Sequence, residues 1–110
     1  MTNVIVTQRV DFNIERKDTS DLLDQKLIEF LIKCECNPIP IPNSLGSKNM
    51  ILNWLSKFEI NLILLSGGND IGEFLNRDQT EKILLEFASK NKIPVLGICR
   101  GMQLSLIHIS

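Results

Sequence analysis

Cys99 is the residue of this chain with the surroundings of a nucleophile. It stands in Gly97-Ile98-Cys99-Arg100-Gly101, behind an apolar run and ahead of residues able to start a helix. Glycines two before and two after a reactive side chain fit a nucleophile elbow, a tight strand-to-helix turn that lifts the side chain above the sheet edge. A thiol at a helix start also feels the helix dipole and unpaired N–H groups, and both favour the thiolate. The backbone N–H of Arg100 would then point where an oxyanion forms. The same five residues equally fit a buried Cys in a turn whose glycines serve only packing. A second constellation, Ser66-Gly67-Gly68-Asn69-Asp70, directly follows another apolar run. Two glycines at the carboxyl end of a parallel strand let a backbone N–H approach a ligand closely, although Gly-Gly-Asn-Asp is also a good plain turn.

The elements that must position these residues are short apolar runs alternating with segments of helical period. Val4-Ile5-Val6, Pro38 to Ile41, Leu62 to Leu65 and Ile93 to Ile98 are continuous and bounded by polar, Gly or Pro residues, as buried parallel strands are. Pro38, Pro40 and Pro42 place the second run at a sheet edge. Leu22, Leu23, Leu27, Phe30 and Leu31 predict a first helix, with Thr19 and Ser20 as N-caps. Met50, Ile51, Trp54, Leu55 and Phe58 predict a second behind Ser47. Ile83, Leu84, Phe87 and Ala88 predict a third, opened by the capping-box spacing Asp78-Gln79-Thr80-Glu81. The sum is β-α-β-α-β-α-β and a helical start near Arg100, hence right-handed βαβ units and an α/β parallel sheet flanked by helices. Residues 1–110 read as one domain. A doubly wound sheet usually continues to a fifth strand, so the pattern is expected to be the N-terminal half of a longer fold, cut after the elbow, with an uncovered edge at its last strand.

Composition excludes several classes. Twelve Lys and Arg against 13 Asp and Glu leave a formal charge of −1, with no electrostatic footprint for nucleic acid or an anionic membrane. The apolar runs are too short to span a bilayer, and Met1-Thr2-Asn3 has no basic n-region of a signal peptide. Three cysteines make no disulfide framework, so a cytoplasmic location is expected. Cys34-x-Cys36 lacks a second ligand pair, so no metal is expected. Trp54 and Phe58 read as core. Asp70 fails as a receiver-type phosphoacceptor because Thr7-Gln8-Arg9 ends the first strand without the further acids such a site needs.

Ile63 to Gln103, through I-L-L-S-G-G-N-D, R-D-Q-T-E and I-P-V-L-G-I-C-R-G-M-Q, resembles the class I glutamine amidotransferase-like superfamily. Arg100-Gly101-Met102-Gln103 is closest to its gamma-glutamyl-gamma-aminobutyrate hydrolase-like branch. The resemblance implies a flavodoxin-like fold and a cofactor-free hydrolysis of a γ-glutamyl amide, either glutamine or another γ-glutamyl compound. Cys99 would attack the amide, Gly68 and Arg100 would supply oxyanion N–H groups, Gly67 would contact the substrate, and Gln103 would help hold its α-amino-acid end. A γ-glutamyl thioester would form and be hydrolysed. An ammonia-supplying glutaminase with a synthase partner, a thiol protein of the stress-response kind and a non-catalytic α/β binding module remain alternatives. Met-Gln after the elbow speaks against the stress-response kind.

The family's general base is a His, oriented by a Glu, well downstream. His108 does not match it. Nine positions along a helix separate it from Cys99 by about 13 Å, beyond any thiol–imidazole contact. The tail from Leu104 to Ser110 also departs from the family's continuation. The chain alone is expected to be weak or inactive.

Overall fold

The computed structural model describes residues 1–98. In chain order the elements are β1 (Thr2–Val6), β2 (Arg9–Asn13), β3 (Asp18–Leu22), α1 (Gln25–Lys33), β4 (Cys36–Pro40), α2 (Lys48–Leu55), β5 (Leu62–Leu65), α3 (Leu75–Asn91) and β6 (Val95–Gly97). Four strands form a parallel sheet in the order β4-β1-β5-β6. Numbered among themselves they run 2-1-3-4, the first four strands of a flavodoxin-like sheet.

Successive side chains of a strand face opposite sides, and here both sides are covered. Val4 and Val6 pack with Leu31 of α1 and with Leu64. Ile5, Ile63 and Leu65 point the other way, onto Ile51 and Leu55 of α2 and Ile83, Leu84 and Ala88 of α3. Each such buried aliphatic side chain contributes about 1.5–3 kcal/mol, which is why these runs read as continuous rather than alternating. Trp54 packs against the second cluster and tilts onto Phe58, ring centroids 4.8 Å apart.

β4 is an edge strand, and its prolines show why. Ile41 N–H donates to Val6 O (3.0 Å). Residues of that parity face β1, so Pro38, Pro40 and Pro42 turn their nitrogens, which carry no hydrogen, to the open edge. At the opposite side of the described sheet, Leu96 of β6 is 54% and Ile98 37% exposed, while Ile63 to Leu65 stay buried.

Two expectations need correction. Residues 9–22 form an antiparallel hairpin inside the first crossover, pairing Asp11 with Ser20 and Phe12 with Thr19. Thr19 and Ser20 are therefore ladder residues, not helix caps. The first helix opens instead on Asp24, whose side chain accepts from Lys26 N–H (2.8 Å). Ser47 does cap α2, accepting from Met50 N–H (3.2 Å). The third helix begins at Leu75, a turn before the expected capping box, and its N-cap Phe74 makes no side-chain cap bond. Asp78 accepts from Gly72 N–H (2.8 Å), bracing the preceding loop. Among the described residues no helix is long and apolar enough to cross a membrane.

Candidate functional site

β1 connects onward to β4 on one side of it, and β5 connects to β6 on the other. The strand order therefore reverses between β1 and β5, and ligands of open α/β sheets bind beyond strand carboxyl ends at such a point. A cleft of about 550 Å³ lies there, within the range of small-molecule sites. Arg9 after β1, Ser66-Gly67-Gly68 after β5, Ile98 after β6, and the stretch leading into α1 line it.

The turn after β5 owes its shape to glycine at one position. Gly68 has φ +127°, a conformation that L side chains rarely adopt. A Cβ there would stand 2.6 Å from Arg9 Cβ and 3.1 Å from Arg77 Nη1. The close approach expected of the Gly-Gly pair is made by the protein itself, on the hairpin side. Among the described residues no acceptor meets the Gly68 N–H.

Beneath the turn lies a buried polar network that ties β1, β5 and α3 together. Arg77 and Glu81, one helical turn apart on α3, are both fully buried and pair at 3.3 Å. Arg77 Nη2 donates to Ser66 O (2.6 Å), and Nη1 donates to Asn69 Oδ1 (3.1 Å). Glu81 Oε2 accepts from Thr7 Oγ1 (2.6 Å), which itself accepts from Ser66 N–H (2.9 Å). Ser66 Oγ donates to Thr7 O (2.6 Å), closing the bridge between the two strand ends. The network grips both flanks of Gly67-Gly68, so the turn is held rigidly by charge-assisted bonds. Asn69 then pins the hairpin: its Oδ1 accepts from Val10 N–H (2.7 Å) and its Nδ2 donates to Val10 O (2.8 Å).

The structure thus brings Gly67 and Gly68 to the cleft, together with Ile98. Ile98 N–H donates to Leu65 O (2.9 Å), so the chain is held beside β5 up to the residue before Cys99. Cys99, Arg100, Gln103 and His108 lie outside the described residues. Sequence reasoning missed Arg77, Glu81 and Thr7. A signal was present: positions 77, 81, 84 and 88 share one helix face, so a charged pair continues the apolar stripe of Leu84 and Ala88. The capping-box spacing makes Glu81 a helix-start residue, whereas its burial and its bond from Thr7 make it a strand-binding carboxylate. Among the described residues no group of three His, Cys, Asp or Glu is placed to hold a metal ion.

The family profile described as Peptidase C26 matches residues 4–109. The chain is 43% identical over 54 aligned positions, 44% of its length, to gamma-glutamyl-CDP-amidate hydrolase of Campylobacter jejuni. It is 35% identical over 99 positions, 76% of its length, to a Schizosaccharomyces pombe protein named "putative glutamine amidotransferase". These alignments span 27% and 37% of the two relatives, so the chain corresponds to a minor part of each.

Proposed function

The chain belongs to the peptidase C26 family, and from that premise we propose that it forms the N-terminal part of a cysteine-dependent amidohydrolase cleaving a γ-glutamyl amide. The observation that carries this reading is the shared cleft. The Gly67-Gly68 turn and Ile98, which immediately precedes Cys99, line one cavity at the switch point of the sheet. The names of both relatives support the substrate class, glutamine or a γ-glutamyl compound.

In this reading the Cys99 thiolate attacks the γ-amide carbon, and the carbonyl electron pair moves onto oxygen. The N–H groups of Gly68 and Arg100 receive that oxyanion. Its collapse expels the amine, which takes up a proton, and leaves a γ-glutamyl thioester for water to hydrolyse. Gly67 and Gln103 contact the substrate. The buried Arg77–Glu81 pair acts at a distance, fixing the carbonyl of Ser66 and hence the turn. The proton-transferring His and its Glu partner belong to the downstream half, and His108 is not that base. The cycle calls for neither metal nor cofactor. The name of the Schizosaccharomyces pombe relative favours a second reading, a glutaminase supplying ammonia to a synthase partner.

A glutamine-analogue electrophile followed by peptide mapping tests the site. Cys99 should be labelled well ahead of Cys34 and Cys36, and excess L-glutamine should slow it. Equal labelling of the three thiols in folded protein would overturn the reading. Ammonia release should be absent from the 110 residues alone. It should be restored, in a Cys99-dependent manner, by the downstream half.

A further inference from the structure

Two charged side chains on the cleft have no role in that cycle. Arg9 and Asp24 are its charged lining residues. Among the described residues neither is ion-paired, and the Arg9 guanidinium has no hydrogen-bond partner. Asp24 commits one oxygen, Oδ1, to Lys26 N–H (2.8 Å). Arg9 is placed by packing: a Cβ on Gly68 would meet Arg9 Cβ at 2.6 Å and Cδ at 3.2 Å. Its aliphatic stem therefore lies along the Gly68 backbone, with the guanidinium carried two bonds further.

We infer that Arg9 and Asp24 read the α-amino-acid end of the substrate, Arg9 through the carboxylate and Asp24 through the ammonium group. This rests on Gly68 being the turn that receives the amide carbonyl. In a γ-glutamyl group four bonds separate the amide carbon from the carboxylate carbon, about 5 Å when extended. A carbonyl seated on Gly68 thus leaves its carboxylate within reach of a guanidinium whose stem starts against the same residue. A guanidinium matches a carboxylate with two parallel hydrogen bonds. Leu22, Leu23 and Leu27 supply an apolar wall for the intervening methylenes, and such walls strengthen the charge pairs. One positive and one negative lining charge suit a zwitterion. A pyrophosphate would meet Asp24 as a like charge, so the leaving portion of a larger γ-glutamyl compound belongs elsewhere.

Ligand titrations of the chain by protein-observed NMR test this with three amides: L-glutamine, glutaramate (no ammonium) and 4-aminobutanamide (no carboxylate). Arg9→Gln should weaken L-glutamine and glutaramate at least about tenfold and leave 4-aminobutanamide within about twofold. Asp24→Asn should weaken L-glutamine and 4-aminobutanamide but spare glutaramate. Asn caps a helix as well as Asp does, and Arg9 is exposed, so both variants should fold. Equal weakening of all three ligands, no weakening, or no binding of any ligand overturns the inference. Ammonia release by the complete enzyme separates it from the functional reading. Turnover of glutamine with an unchanged KM in Arg9→Gln sinks this inference alone. The predicted binding pattern without turnover sinks the hydrolase and keeps the amino-acid site.

Discussion

The parallel sheet and the β2–β3 hairpin are held by different physics. The sheet is a stack of aliphatic side chains: Val4, Ile5, Val6, Ile63 and Leu65 are fully buried. The hairpin buries one aliphatic residue of its strands, Val10, while Phe12 is 48% exposed and Ile14 at its tip 80%. Polar side chains attach it. Asn69 pairs with both backbone groups of Val10, and Asn43 bonds Asp21 through its N–H (3.0 Å) and its amide (2.9 Å). The middle of the sheet, built on burial, leans on no single polar group, whereas an attachment built on directional bonds depends on each. The hairpin carries Arg9 onto the cleft, so the less buried region shapes the site.

The buried pair under the Gly67-Gly68 turn is where the two regions meet, and its loss should be felt most. Arg77→Leu takes from the buried Glu81 carboxylate the cation it pairs with at 3.3 Å, an expected cost of about 3–5 kcal/mol. Urea denaturation should show it as a lower midpoint with an unchanged slope. The double variant Arg77→Leu/Glu81→Leu should recover part of that loss: it removes the buried charge but also the bonds the pair makes to Ser66 O and Thr7 Oγ1. If the single variant costs under about 1 kcal/mol, the network does not join the strand ends as described.

Next in size is Gly68→Ala. The positive φ alone costs about 1–3 kcal/mol, and the new Cβ must displace Arg9 Cβ from 2.6 Å. Arg9→Gly in the same chain removes the contacts with Arg9 but neither the φ strain nor the 3.1 Å approach to Arg77 Nη1, so it should return only part of the stability. Full recovery would mean that the backbone at Gly68 is unstrained.

What the residues alone disclose follows the same division. β1 and β5 were legible because burial on both faces writes continuous apolar runs, the three helices because their apolar stripes recur at helical period, and β6 as a short apolar run between Pro94 and Gly97. The prolines of β4 announced an edge for a covalent reason. The hairpin was illegible: Arg9-Val10-Asp11-Phe12-Asn13 and Asp18-Thr19-Ser20-Asp21-Leu22 are rich in residues strands avoid, and their partners lie near positions 43 and 69. Thr19 and Ser20 then looked like caps for a helix that Asp24 opens. Gly67 and Gly68 could be read as a site because glycine pairs mark close approach. The Arg77–Glu81 pair hid in a segment whose acidic residues suggested a helix start.

Asn69→Ala removes two hydrogen bonds to the Val10 backbone and the one accepted from Arg77 Nη1, an expected cost of about 2–3 kcal/mol whose clearest signature lies in the hairpin. Hydrogen exchange should accelerate at Val10 and through residues 9–22, while Ile5 and Ile63 keep their protection. Uniform acceleration would show that the hairpin and the sheet unfold as one unit and remove the contrast between them.

The smallest effect is expected at the hairpin tip. Ile14 is a large aliphatic residue, yet it is 80% exposed and supplies no buried area for the fold. Ile14→Ser should change stability by less than about 0.5 kcal/mol, readable as a shift in thermal midpoint of no more than about 4 °C for a chain of this size. Val10→Ala, on the same hairpin but buried, should lose about 1–3 kcal/mol. The two substitutions together separate a hairpin anchored at its base from one packed along its length. If Ile14→Ser destabilises as much as Val10→Ala, the tip is docked against something apolar and the hairpin is held by burial after all, like the sheet.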